Sequence, residues 1–192
     1  YFVVRRKDMK YDGANPTVLY GYGCSNMKEV PNYSPAFGKL WVERGGVYAV
    51  AVIRGGGEFG PQWNADGDRL NKQKALDDFA AIAESLIAKR ITAPAHLGSK
   101  GVSCGGVLVS TVVTQRPELF GAVKAEVAGH DIVNFLDFES GAGYIDIFGD
   151  PRLSSDRAVI ESYSPYQNVR AGTKYPKIYY ETRTEDGNMS PG

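Results

Sequence analysis

The chain has 192 residues and a formal net charge of zero, with 22 Lys and Arg against 22 Asp and Glu. That balance argues against nucleic acid or an anionic membrane surface as the main partner, and no apolar stretch approaches bilayer length. The length suits one sizeable core, so residues 1–192 are taken as a single domain.

Tyr1-Phe2-Val3-Val4 is strand-like and runs into the basic cluster Arg5-Arg6-Lys7. It lacks an initiating Met and has the wrong charge order for a signal peptide. Thr17–Gly23 predicts a strand entering a glycine-rich turn. Gly46–Ile53 is continuously apolar, as expected of a strand covered on both faces. It ends in the glycine-rich loop Arg54–Gly60. Leu76, Phe79, Ala80, Ala83, Leu86 and Ile87 then form one helical stripe. Asp77 and Asp78 sit near the end where the helix dipole favours negative charge, and Lys89 and Arg90 near the end that favours positive charge. Ala95–Ser99, Ala122–Ala128 and Lys177–Thr182 predict three more strands.

Between two of these lies Gly101-Val102-Ser103-Cys104-Gly105. It fits Gly-x-Ser-x-Gly, the strand-to-helix turn that presents a nucleophilic serine in α/β-hydrolases. The glycines let the backbone crowd where a β-carbon would clash. The run Gly105–Gln115 is apolar all round and predicts a buried helix, stopped by Arg116-Pro117. Strand, serine turn, helix and strand is the arrangement the motif needs. The plainer alternative is that Ser103 only caps the helix. Strands alternating with helices imply an α/β fold, a mostly parallel sheet with helices on both faces. Ligands then bind beyond the C-terminal strand ends. The turns after Tyr20, Ile53, Ser99 and Thr182 should converge there.

Cys24 and Cys104 are too few for a disulfide scaffold, and a structural disulfide at Cys104, inside the serine turn, would be awkward. They do not decide between a cytoplasmic and a periplasmic compartment. A thiol-dependent site at Cys104 has no histidine placed to activate it. Two distant histidines and two lone cysteines give no metal-ligand spacing. Gly55-Gly56-Gly57 lacks the spacing of a nucleotide fingerprint, so no cofactor is expected.

Taken in order, Leu19-Tyr20-Gly21-Tyr22-Gly23, Ile53–Gly60 with Trp63, Asn71-Lys72-Gln73, Asp77-Asp78-Phe79, Ser103–Gly106, Gln115–Gly121 and Tyr163-Ser164-Pro165-Tyr166 resemble the catalytic domain of the prolyl oligopeptidase family. The resemblance covers nearly the whole chain. It implies an α/β-hydrolase fold and a serine peptidase that cleaves short peptides, often after proline, with a Ser-Asp-His triad. A β-propeller in the parent chain would gate the site. It casts Ser103 as nucleophile, the N–H of Cys104 and the phenol of Tyr22 as oxyanion donors, and Asp186 as the triad acid, with Glu185 the competitor. Tyr144 falls where the family stacks an aromatic on the substrate proline, and Arg54 in a loop at the site rim, where its role reads as structural.

The pattern breaks at the base. No histidine follows Asp186 within the chain, although the triad order requires one there. His96 precedes the serine strand, on the wrong side of the sheet. His130 follows the next strand but aligns with an ordinary family position. The chain therefore reads as an internal piece of a longer peptidase, inactive by itself. Asn188 stands where the family carries an arginine that grips a substrate carbonyl, and Val102 and Cys104 replace glycine and asparagine beside the serine. Two further readings are an esterase or acylaminoacyl-peptidase relative and a non-catalytic binding module of the same fold.

Overall fold

The computed structural model describes residues 1–32, 34–138 and 140–184. Among them six strands form one sheet: β1 (Phe2–Val4), β2 (Thr17–Tyr20), β3 (Val47–Val50), β4 (Leu97–Val102), β5 (Ala122–Glu126) and β6 (Lys177–Glu181). Their order is β1-β3-β2-β4-β5-β6. β1 pairs antiparallel with β3, and every other pair is parallel. The helices are α1 (Pro35–Phe37), α2 (Pro61–Ala65), α3 (Lys72–Ala88), α4 (Cys104–Gln115), α5 (Ile145–Phe148), α6 (Ser154–Tyr163) and α7 (Pro165–Asn168).

β2, β3 and β4 alternate buried and half-buried residues along their length. Successive side chains in a strand point to opposite faces. One face buries Leu19, Val47, Ala49, Leu97, Val123 and Ala125 in the core that α3 and α4 complete. The other presents Tyr20, Tyr48, Val50, Lys100 and Lys124. It meets α1 and the π-turn Gly38–Val42 that follows, where Phe37 stacks on Tyr48 at 4.1 Å. β3 is thus deeply covered on one face only. Apolar residues on both faces of a strand do not report how much cover each face receives.

The predicted stripe of α3 is buried at Leu76, Phe79, Ala80, Ala83 and Leu86, with Ile87 partly buried. Ala75, Ile82 and Lys72 widen it. The helix closes with Arg90 in the left-handed region (φ 56°), Arg90 N–H donating to Ile87 and Ile91 N–H to Leu86. That is a Schellman end made without glycine. α4 is buried almost all round, from Cys104 to Val113. β5 stops at Glu126, short of the expected Ala128, because Val127 turns to φ 42°. A β-branched residue there is a genuine backbone outlier. All five strands of the parallel array end at the same sheet edge, and that edge carries the Ser103 turn that follows β4.

Candidate active site

The serine turn begins with a geometric demand. β4 must pass directly into α4 without a loop, so one residue has to reverse the chain. Ser103 does this at φ 54° and ψ −119°. Its N–H donates to the Glu126 carbonyl at 2.8 Å, and its own carbonyl accepts from the N–H groups of Gly106 (2.8 Å) and Val107 (3.1 Å). The backbone is therefore pinned on both sides. A helix-capping serine takes an extended conformation, and its side chain accepts from the first turn. Here the side chain makes no such bond. The hydroxyl is left for other work, at the mouth of a helix whose first N–H groups have no intrahelical acceptor.

The glycines around it explain how the turn fits. A β-carbon at Gly101 would strike the Gly105 carbonyl, and one at Gly105 would strike the Gly21 carbonyl and come within 3.2 Å of the Tyr22 Cα. One at Gly106 would run into Ala128 and the Glu126 carbonyl. These absences let the segment after β2 lie directly on the first turn of α4. Ser103, Cys104 and Tyr22 are brought together in this way. Tyr22 is half-buried against the core.

The same approach corrects the expectation about cysteine. Cys24 and Cys104 form a disulfide, with Cα atoms 6.5 Å apart. Both residues are buried. A bond at the serine turn is feasible because Gly21 and Gly105 remove the side chains that would otherwise hold the two segments apart.

The rim is built from ion pairs and buried polar contacts. Arg54 grips Asp78 with two nitrogens, at 2.6 Å and 2.8 Å, while its own N–H reaches the same carboxylate at 3.1 Å. This fork fastens the loop after β3 to α3. Lys72 is buried, donates to the Gly23 carbonyl at 3.0 Å and lies 3.7 Å from Asp68. Burial lowers its pKa from 10.5 to about 8, against the opposing pull of Asp68. Its ammonium also sits 5.8 Å over the Phe148 ring. Tyr144 lies beside that ring (6.3 Å) and edge-on to Phe135 (6.5 Å), in one aromatic cluster.

The family model described as the prolyl oligopeptidase family matches residues 32–191. The chain belongs to the prolyl oligopeptidase family. It is 48% identical over 191 residues to the peptidase y4nA of Sinorhizobium fredii, covering 100% of this chain and 26% of that one. With the prolyl endopeptidase of Elizabethkingia meningoseptica it shares 37% over 187 residues, 97% of this chain and 26% of the relative. A solved structure from a study of two prolyl endopeptidases superposes with a TM-score of 0.96 at 42% identity, covering 98% of this chain and 28% of that one. Prolyl oligopeptidase B of Galerina marginata, solved with a 35mer hydrolysis and macrocyclization substrate, gives a TM-score of 0.94 at 34% identity, covering 98% and 27%. The chain spans about a quarter of the length of the curated relatives it matches.

Within this prolyl oligopeptidase framework, Asp186, Glu185 and Asn188 lie outside the described residues. His96 is exposed in the 3-10 turn before β4, at the opposite end of that strand from Ser103. His130 follows β5 and packs edge-on to Tyr180 at 4.5 Å. Burial lowers its pKa, and its Nε2 is buried without a hydrogen-bond partner among the described residues. Two contacts escaped the sequence reading, the Cys24–Cys104 bond and the buried Lys72 on the Gly23 carbonyl. Cys24 stands two positions after Tyr22 and Cys104 one after Ser103, a placement that marks the pair in hindsight. Lys72 carries no local signal, since a lysine in a helix reads as solvated until its burial is known.

Proposed function

We propose that this chain supplies the nucleophile and oxyanion side of a serine peptidase that hydrolyses short peptides, with cleavage after proline as its preference. The observation that carries the reading is the pinned, uncapped Ser103 at φ 54°, with Tyr22 seated on the following helical turn. The Ser103 Oγ attacks the scissile carbonyl carbon and passes its proton to a histidine. The carbonyl becomes an oxyanion held by the N–H of Cys104 and the phenol of Tyr22. Collapse breaks the C–N bond, the amine leaves with the proton, and an acyl-enzyme remains for water to hydrolyse.

Asp186 is the acid that orients the histidine in this scheme. The histidine itself comes from the parent chain, of which these residues make up about a quarter by comparison with the relatives. Residues 1–192 are then part of one α/β-hydrolase domain, and a β-propeller elsewhere in the parent gates it. Tyr144 offers its ring to the substrate proline, and Asn188 takes the substrate-binding role that the family gives to an arginine, as a shorter, neutral side chain. Arg54 acts as the anchor of the rim loop.

The full-length protein tests this with a fluorophosphonate probe and paired substrates, a prolyl amide and a simple aryl ester. The expected result is labelling lost in Ser103→Ala, with turnover of the prolyl amide. Ester turnover alone points to an esterase relative. Silence of both probe and substrates points to a binding module.

A further inference from the structure

We propose that the Cys24–Cys104 disulfide is a positioning crosslink for the oxyanion hole, which makes turnover respond to thiol reductants. The inference rests on the peptidase reading above. Its starting point is placement. Cys24 lies two residues after Tyr22, and Cys104 immediately follows Ser103. The two proposed oxyanion donors, the Tyr22 phenol and the Cys104 N–H, therefore sit on the two segments that the bond joins. Those segments are 80 residues apart in sequence. Their relative position is otherwise set by non-covalent contacts.

The loop needs such a hold. Gly23 (φ 66°), Ser25 (φ 55°) and Asn26 (φ 56°) all occupy the left-handed region within four residues. Non-glycine residues keep that conformation only where their surroundings over-determine it. The non-covalent restraints include the seating of Gly21 and Tyr22 on Gly105 and the bond from Gly57 N–H to the Met27 carbonyl at 2.9 Å. Lys72 donates to the Gly23 carbonyl, Asn26 N–H reaches the Gly55 carbonyl at 3.3 Å, and Met27 N–H reaches the Cys24 carbonyl at 3.1 Å. The last of these is internal to the loop. Without the crosslink, the phenol of Tyr22 rides on a segment held by these non-covalent contacts, with Ser25 and Asn26 in the left-handed region.

An oxyanion donor acts in the transition state and only within hydrogen-bond distance. Loosening the loop lowers kcat and leaves KM nearly unchanged. The chemistry is a two-electron exchange. A thiolate of a dithiol reductant attacks one sulfur, the S–S bond breaks, and a mixed disulfide forms. The second thiol of the reductant resolves it as a cyclic disulfide, leaving Cys24 and Cys104 as two thiols. A mild oxidant such as diamide reverses the step.

The test uses the purified full-length protein, alkylated and peptide-mapped before and after dithiothreitol, with kinetics on a prolyl amide. The expected result is a Cys24–Cys104 linked peptide in the untreated protein and a fall in kcat of about 10-fold on reduction, a fraction of what losing a whole donor costs. KM should move less than about 2-fold, and diamide should restore kcat. Cys24→Ala should sit at the reduced level and ignore both reagents. The wild-type arm needs no variant to fold. Alkylation of both cysteines without reductant, equal kcat in both redox states, or a Cys24→Ala protein that still responds overturns the crosslink alone, provided Ser103 labels with fluorophosphonate. Failure of labelling in both redox states overturns the peptidase reading and the positioning role with it.

Discussion

Replacing Ser103 with glycine should yield a more stable protein than replacing it with alanine. Both variants remove the hydroxyl, so neither is active, and the comparison isolates the backbone. At φ 54° and ψ −119° a side chain of any kind is strained, at a cost of about 1–3 kcal/mol. Glycine relieves that strain but loses roughly 0.5–1 kcal/mol more conformational entropy on folding. The net expectation is a gain of about 0.5–2 kcal/mol for Ser103→Gly over Ser103→Ala. The three backbone bonds from Ser103 N–H and to its carbonyl survive in both. Guanidinium unfolding of the two full-length variants measures the difference, read from the midpoint at constant slope. Equal midpoints, or a lower midpoint for the glycine variant, would show that position 103 is unstrained and remove the geometric basis of the nucleophile turn.

Tyr22→Phe should lower kcat/KM for a prolyl amide by about 10²-fold, mostly in kcat, as expected for loss of one oxyanion donor; a change confined to KM refutes the role. Gly105→Ala would gain roughly 1 kcal/mol in an open helix. Here its β-carbon meets the Gly21 carbonyl and Tyr22, so both thermal stability and turnover should drop. An unchanged melting temperature with normal turnover contradicts that packing. Lys72 binds its proton less tightly folded, at about 8, than its ordinary 10.5. The unfolded chain thus holds more protons between those values, and stability rises with pH across that window. Relative to Lys72→Met, the wild type should gain about 3 kcal/mol from pH 7.5 to 10.5; a difference that stays flat with pH would show that the ammonium is not buried. Asp78→Asn should release the fork on Arg54 and speed proteolytic cleavage in the Arg54–Gly60 loop.

Some features were legible locally because they depend on neighbours in sequence. The period of α3, the glycine spacing around Ser103 and the Pro117 stop are of this kind. Boundaries were less so. β5 is cut short at Val127 by a backbone conformation that β-branched residues ordinarily avoid, so propensity pointed the other way. The cover on β3 was likewise hidden, since Tyr48 and Val50 are apolar yet face the more open side.

The amino-acid order by itself determined the hydrolase architecture and marked Ser103 as the proposed nucleophile, because both rest on short-range patterns of glycine and apolar residues. Only the folded chain decided that Cys24 meets Cys104 and that Lys72 is sealed beneath Gly23. Those contacts join segments 80 and 49 residues apart. The first comes into being when β2 and β4 pair and their turns are pressed together at one edge of the sheet, the second when the start of α3 packs under the turn after β2.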